Sequence, residues 1–334
     1  MSPGMTWNND DLEEPVACPA CGHPAPQLPE ITGVRDFWEG VDGIWTFKSC
    51  PACVSLFLSP RPMQAAIGKA YGSYYTHIES AALHDADNGT SLGWRLANDY
   101  LNVRYGTRRE PFHPAGRWVM LWLLPLRLQL DYFLRRLPRK PGRVLDIGCG
   151  NGLFLRRAIA AGWNATGMEP DVMAARAARA SGARVVGDLH ELEKSSFDAI
   201  CASHVIEHVH DPGAMLTAAL DLLRPGGVFW LATPNANSRG RRHFGRYWRG
   251  LEAPRHIAIL SATSLAHRLR DAGFVDIHFH CRGRGAAFIL GASRECAMRE
   301  EGRWPALSVL LADLRGSFRR RAGEELVVTA RRPA

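Results

Sequence analysis

The sequence predicts an α/β fold, a mainly parallel sheet covered by helices on both faces, with a small cysteine-held module in front of it. Three features predict it. From Gly142 onward, short β-like runs alternate with helical stretches, and such alternation gives parallel strands joined by crossover helices. The first run opens into a turn with glycines at 148, 150 and 152, as expected where a strand delivers a ligand loop to a helix. Two identical Cys-Pro-Ala-Cys tetrads stand near the N-terminus.

Length and charge frame the rest. The 334 residues suffice for one large domain and a smaller one. Formal net charge is +8, from 41 basic and 33 acidic residues, yet residues 1–30 contain no Lys or Arg and hold Asp10, Asp11, Glu13, Glu14 and Glu30. The remainder is more basic than the total, which favours an anionic substrate, an anionic membrane surface or RNA. The acidic start lacks the pattern of a signal peptide, and no stretch of about 18 apolar residues is present to span a bilayer. Without an export signal, eight cysteines suggest reduced thiols or metal ligands instead of a disulfide frame. The expected location is the cytoplasm, with peripheral contact at the inner membrane face left open.

Residues 1–63 are rich in Pro, Gly and Cys and poor in helical periodicity. Cys18 and Cys21 form one candidate knuckle, Cys50 and Cys53 the other, with 28 residues between the inner cysteines, positions 22 to 49. Two knuckles complete a tetrahedral thiolate site for zinc, and a strand such as "GIWTFKS" fits a zinc ribbon between them. All four positions are thiolates, so the metal is expected to be structural, holding a region too small for its own core. Cys149, Cys201, Cys281 and Cys296 lie apart and read as packing residues.

Residues 64–140 read as a helical linker or substrate cap. The segment "RLQLDYFLRRLP" has an amphipathic period and meets Pro138, which stops a helix. The longer stretch "WVMLWLLPLRLQLDYFLRRLPRK" mixes Trp and Leu with Arg as an interfacial helix does. It suits a membrane surface or a lipidic substrate, and equally core packing against the domain that follows.

Residues 141–334 carry the alternating pattern, with β-like runs "RVLDIG", "NATGMEP", "ARVVGD", "FDAICAS", "GVFWLATP", "VDIHFHC" and "ELVVTA". A long segment joins the last two, compatible with inserted helices and an antiparallel final strand. Three glycines in five residues cost chain entropy, so the turn needs positive φ or close approach of a ligand. The pattern is G-C-G-N-G behind Asp146, not the G-x-G-x-x-G of a dinucleotide site. Glu169, 21 residues after Gly148, ends the second run, where a carboxylate takes both hydroxyls of a ribose. Asp188 ends the third, where it can accept from an adenine amino group. Three acids suit an adenosine carrying a positive sulfonium better than a diphosphate, which Asp146 would repel.

These residues resemble the class I S-adenosylmethionine (SAM) methyltransferases. "VLDIGCGNG", "GMEP", "VVGDL", "FDAICASHVIEHVHDP" and "LLRPGGVFWLATPN" follow that family's order and spacing over residues 142–235, and "GEELVVTARR" is similar to its last strand. The resemblance implies a Rossmann-like seven-stranded methyltransferase sheet. It implies a cofactor site at Asp146, Gly148, Cys149, Gly150, Gly152, Glu169, Pro170, Asp188, Leu189, Ser203 and His204, with methionine near Asp146 and Gly148, ribose at Glu169 and adenine near Asp188. A four-cysteine ribbon before such a core, with "LSPRP" and "YGSYYTH", resembles a broad bacterial group acting on sugars, glycans or lipids. Its sugar C-methyltransferases carry a further C-terminal domain not found in this sequence.

The acceptor side is expected at "SHVIEHV", where His204, Glu207 and His208 fall at i, i+3 and i+4 and one helical face would carry all three. Quinone O-methyltransferases have a similar segment with Glu in the first place and hold a divalent metal with it; here His204 replaces that Glu. Three readings stay open: His204 walls the cofactor pocket while its neighbours make structural hydrogen bonds, the trio binds a metal, or a histidine is the general base. In "GRYWRGLEAPRHIAILS", Tyr247, Trp248, Arg255 and His256 would form a lid with aromatic walls and a basic rim, His256 being the other candidate base. Six arginines between Arg239 and Arg255, against Glu252 alone, suit an anionic acceptor or a plain solvated face. The expected activity is methyl transfer from SAM to a small, glycan or lipid-linked acceptor, by O-methylation. Rivals are an RNA methyltransferase, disfavoured because "ASHVIEH" replaces the N-P-P-[YF] type of motif and no nucleic-acid module is present, and a non-catalytic SAM-binding scaffold.

Overall fold

The computed structural model describes residues 7–25, 28–71 and 89–334; most of the "YGSYYTH" segment lies outside them. The N-terminal module has strands β1 (Leu12–Glu13), β2 (Glu30–Val34), β3 (Trp45–Ser49), β4 (Leu56–Leu58) and β5 (Arg61–Pro62). Helices α1 (Leu92–Tyr105), α2 (Gly116–Trp122) and α3 (Leu124–Phe133) follow. Then come β6 (Arg143–Ile147), α4 (Leu153–Ala160), β7 (Asn164–Met168), α5 (Val172–Arg179), β8 (Arg184–Val186), β9 (Phe197–Ser203), α6 (Pro212–Leu222) and β10 (Leu223–Pro234). The chain continues through α7 (Arg239–Phe244), β11 (Ala258–Ile259), α8 (Ala262–Asp271), β12 (Val275–His280), α9 (Ala286–Glu301), α10 (Val309–Phe318) and β13 (Glu325–Arg331).

All seven runs expected after Gly142 are strands of one sheet, in the order β12-β13-β10-β9-β6-β7-β8. β8, β7, β6, β9 and β10 run parallel, while β13 is antiparallel to both β10 and β12. The strand order reverses between β6 and β9, where an open sheet leaves a crevice at its carboxyl edge. Alternate side chains serve opposite cores. Leu145, Ile147, Ile200, Phe229 and Leu231 pack with Leu216, Leu265 and Leu269 from α6 and α8. Val144, Ala199, Cys201 and Trp230 pack with Leu101, Leu130, Leu134 and Leu155 from α1, the α3 segment and α4. Burial on both faces explains why the strands read as unbroken apolar runs.

The Trp- and Leu-rich stretch is two helices, broken at Leu123, where α2 ends and Pro125 enters the first turn of α3. Its second part stops at Phe133, ahead of Pro138, because Arg135 and Arg136 take left-handed φ of 47° and 51°. That backbone is costly for arginine; here it carries the Arg135 guanidinium to Asp146. Among the described residues, no helix is long and apolar enough to cross a membrane.

The N-terminal sheet does not end within its own module. Its order is β11-β4-β3-β2, so a strand from beyond residue 250 completes it, pairing Phe57 with Ala258 and Leu56 with Ile259. Arg268 donates to the carbonyls of Pro19 (2.7 Å) and Ala20 (3.0 Å), on the first cysteine knuckle. Trp45, Phe47, Leu56 and Leu58 share a core with Phe244, Trp248 and Ile257.

Candidate active site and four-cysteine centre

The two Cys-Pro-Ala-Cys tetrads fold alike. Gly22 donates to the Cys18 carbonyl and Val54 to that of Cys50, both at 2.8 Å, and Gly22 and Val54 both take positive φ. All four Sγ atoms lie within 4.8 Å of one another, with Cys18–Cys53 at 3.8 Å and Cys21–Cys50 at 3.6 Å. Ligands at about 2.3 Å from a tetrahedral ion stand about 3.8 Å apart, so the thiols fit a tetrahedral metal and are too distant for disulfides. The Cys53 thiol is pulled down to about 4 by hydrogen bonds from Cys18 and Ser55, while Cys18 is pushed up correspondingly.

At the carboxyl edge of the large sheet, Gly148, Gly150 and Gly152 adopt φ of 64°, 51° and 79°, which favours glycine. A Cβ on Gly148 would come within 2.6 Å of Val205 Cγ2, and one on Gly152 within 2.9 Å of the Ala178 Cα. Turn geometry and close packing therefore both require the glycines. The Cys149 side chain points down, to where a Cβ on Gly167 would meet its Sγ at 2.5 Å, so it packs beneath the loop. Glu169 stands beside the turn, accepting from the amides of Gly150 (2.9 Å) and Asp171 (3.1 Å), with Pro170 exposed after it. Asp188 follows β8, exposed, accepts from the His190 amide at 2.8 Å, and precedes the half-buried Leu189. A bare backbone turn flanked by these two carboxylates fits an adenosine cofactor.

Asp146 departs from the expectation of an open carboxylate. It is fully buried and its Oδ1 is ion-paired with Arg135, whose guanidinium lies 3.9 Å over the Phe154 ring. Burial pushes its carboxyl up to about 6 against the opposing pull of Arg135. Its charge is compensated within the protein, so only Oδ2, without a partner among the described residues, remains to accept from a ligand.

On the acceptor side, residues 204–208 form a turn, not a helix, and His204 has φ 54°. The expected helical face is absent, but its residues still meet. His204 Nδ1 is 3.1 Å from Glu207 Oε1 and Nε2 is 2.6 Å from Glu325 Oε1. Ionised carboxylates only accept, so both ring nitrogens donate and the ring is an imidazolium, its pKa well above 6.5. That corrects the reading of His204 as a base, since it has no lone pair to offer. Glu325 is held further by Arg282 and by the Tyr132 hydroxyl at 3.2 Å, and Glu207 by Thr233 Oγ1 at 2.9 Å. Ser203, at the end of β9, is half-buried beside this network.

His256 joins from another part of the chain. Ligand atoms of Glu207, His208 and His256 lie within 4.8 Å of one another, and the two rings pack edge to face at 4.6 Å. Glu207 binds this region by its backbone, its carbonyl accepting from Ile257 (2.8 Å) and Ala258 (3.2 Å). His256 donates from Nδ1 to the Gly250 carbonyl at 2.8 Å, and burial lowers its pKa to about 4. It is therefore neutral, with its lone pair on Nε2. Burial likewise lowers His208.

The lid expected from Tyr247, Trp248, Arg255 and His256 is instead interior, since all four are buried. Arg255 donates to Asp36 of the N-terminal module (2.9 Å), to Glu252 (3.2 Å) and to the Ala70 carbonyl (3.3 Å). It is a clamp between modules and no basic rim. Arg246 and Arg249 also sit in ion pairs, with Glu301 and Glu252, so half of the six arginines are neutralised locally. Sequence reasoning missed Tyr132, Arg135, Arg282, Thr233 and Glu325. Only Glu325 left a signal, an acid opening an otherwise apolar strand.

Residues 125–278 match the family model described as "Methyltransferase domain". The ubiquinone biosynthesis O-methyltransferase of Xanthomonas axonopodis pv. citri is 36% identical over 170 residues, 48% of this chain and 65% of that protein. That of Xylella fastidiosa (strain 9a5c) is 33% identical over 118 residues, covering 32% and 48%. The chain thus spans about half to two thirds of the curated relatives it matches. Among solved structures, a possible histamine N-methyltransferase of Thermotoga maritima is 19% identical with a TM-score of 0.42, covering 65% of this chain and 95% of its own. A phosphoethanolamine N-methyltransferase 2 of Haemonchus contortus is 18% identical with a TM-score of 0.46, covering 87% and 63%. The sequence match over residues 125–278, the strand order and the glycine turn between β6 and α4 together support a methyltransferase of the class I, SAM-dependent type.

Proposed function

We propose that the chain is an O-methyltransferase that moves the SAM methyl group to a hydroxyl of a small, glycan or lipid-linked acceptor. The observation that carries this reading is the closeness of two different half-sites at one sheet edge. The glycine turn with Glu169 opens from β6 and β7, and the His204–Glu325–Arg282 network closes the tips of β9 and β13. Similarity to O-methyltransferases at 33–36% identity supports oxygen as the acceptor atom.

SAM supplies an electrophilic methyl on a sulfonium. Glu169 holds the ribose, and Asp188 the adenine end. The acceptor oxygen forms its bond to the methyl carbon as the carbon–sulfur bond breaks, so alignment is the protein's main contribution. His204, with both N–H groups held by Glu207 and Glu325, stands beside the acceptor position as a fixed cation. The hydroxyl proton passes to the neutral His208–His256 pair, where His256 Nε2 has the lone pair that His204 lacks. The four cysteines hold a structural zinc ion, as their spacing supports.

The test is incubation of the purified chain with methyl-labelled SAM and separate lipid, glycan and RNA fractions. Label in a base-stable ether of a lipid or glycan supports the reading. Label in RNA replaces the acceptor class, and SAM binding with no product in any fraction leaves a scaffold.

A further inference from the structure

We propose that the chain docks on an anionic lipid bilayer through an apolar face built by α2, the start of α3 and α10. This deepens the acceptor reading above, on which it rests only for its purpose. The α2 end presents Trp118 at 65% and Trp122 at 88% exposure, with Leu121 and Leu123 beside them. α10 presents Leu310 at 68% and Phe318 at 70%, with Leu311 and Leu314 between. Positions 310, 314 and 318 share one side of a helix, so they form a ridge. α2 and α10 both pack on α3, and a cleft of about 510 Å³ beside α3 is lined by Leu124 and Leu128 of α3, Phe318 of α10, and the basic Arg136 and Arg320.

Single exposed apolar residues need no explanation, but eight on or capping two helices that pack on the same third helix, two of them tryptophans, do. Charge decides the occupant. Residues 303–321 hold five arginines, at 303, 315, 319, 320 and 321, and one acid, Asp313. Asp313 is committed to the start of α9, accepting from the amides of Gly285 (3.1 Å) and Ala286 (3.0 Å). From Ala115 to Leu130 there is no acid at all. A two-fold contact with a second copy would oppose like patches and bring arginine against arginine. An anionic bilayer neutralises them while tryptophan settles at the headgroup level. The cleft also borders the acceptor side, because Cys281 in its wall precedes Arg282, the partner of Glu325.

Flotation of the full chain with vesicles tests this. Phosphatidylcholine–phosphatidylglycerol vesicles should carry the protein up a gradient, and phosphatidylcholine alone should carry much less. Trp122→Ser with Leu310→Ser should reduce binding at least about tenfold, and Arg315→Glu with Arg319→Glu should abolish the preference for the anionic lipid. These side chains are exposed, and unchanged SAM affinity by calorimetry verifies that the variants fold. Failure to float, or flotation unaffected by both pairs of substitutions, overturns the inference. So does a concentration-dependent dimer that the same substitutions dissolve, since a second copy then covers the face. A chain that binds SAM and methylates yet ignores vesicles loses this inference alone and keeps the methyltransferase reading.

Discussion

The proposed cofactor end and the proposed acceptor end of this molecule are built on opposite principles. The cofactor end uses neighbours in sequence: Glu169 reaches Gly150, Asp188 caps the turn that follows it, and three left-handed glycines shape one loop. The acceptor end is assembled from distant pieces. Tyr132, His204, Glu207, Thr233, His256, Arg282 and Glu325 come from a helix, three strand tips, two loops and the last strand, with Glu207, His204, Glu325 and Arg282 alternating in charge. The difference predicts that Glu169, away from the Gly148–Val205 contact, can be changed with little effect on the second half, whereas the second depends on docking of the N-terminal module through Arg255 and β11.

The largest test of that contrast is the metal. Structural zinc supplies on the order of 10 kcal/mol to a small module. Removal by a strong chelator, or Cys18→Ser with Cys50→Ser, should unfold the N-terminal module and release β11, with loss of methyl transfer. Metal analysis should read one zinc per untreated chain, while SAM affinity changes far less. Zinc-free protein that retains full turnover breaks the comparison.

Next comes Arg255→Met. It removes the cation paired with buried Asp36, while Glu252 keeps Arg249, and a broken buried pair costs about 3–5 kcal/mol. Thermal unfolding should show that loss, along with faster amide exchange at Ile257 and Ala258.

Glu169→Gln acts on the other end and should be smaller and cleaner. If Glu169 holds the ribose as proposed, losing that charged acceptor costs about 1.5–3 kcal/mol of binding, a rise of ten- to hundredfold in the SAM dissociation constant. The melting temperature without cofactor should hardly move. Equal loss of acceptor affinity would show that the two ends are not independent.

The smallest effect sharpens the acceptor end. The folded pKa of His204 lies above its unfolded value, so its charge stabilises the fold fully below about pH 6.5 and that contribution fades as pH rises through the folded value. His204→Gln should therefore destabilise more at pH 6 than at alkaline pH. With 36% of the ring open to solvent, screening holds the difference to about 1 kcal/mol. Because His256 is lowered to about 4, activity should be flat from pH 6 upward until His204 loses its proton. A midpoint of rising activity near pH 7 would assign the base elsewhere.

How much was legible follows the same division. Seven strands, the glycine turn, Glu169, Asp188 and the paired knuckles could be read because each signal is local: period, turn chemistry or ligand spacing. The Asp146–Arg135 pair was not, since nothing in "LRRLP" marks a left-handed arginine, and the fold forces one to reach a buried carboxylate. Arg255 resembled a solvent-facing cation in a basic run, and only its burial against Asp36 reversed that reading. His204 stayed open between pocket wall, metal ligand and base until two carboxylates, one of them 121 residues away, occupied both its nitrogens.

The amino-acid order alone determined the α/β class, the strand sequence, the cofactor turn and the cysteine quartet, because hydrogen-bonded backbone and ligand spacing act over a few residues. Tertiary structure decided the protonation of His204, the neutral state of His256, the role of Arg255 and the exposure of the α2–α10 face. Those depend on burial and on which charge stands opposite which. Neither quantity exists until distant segments pack together.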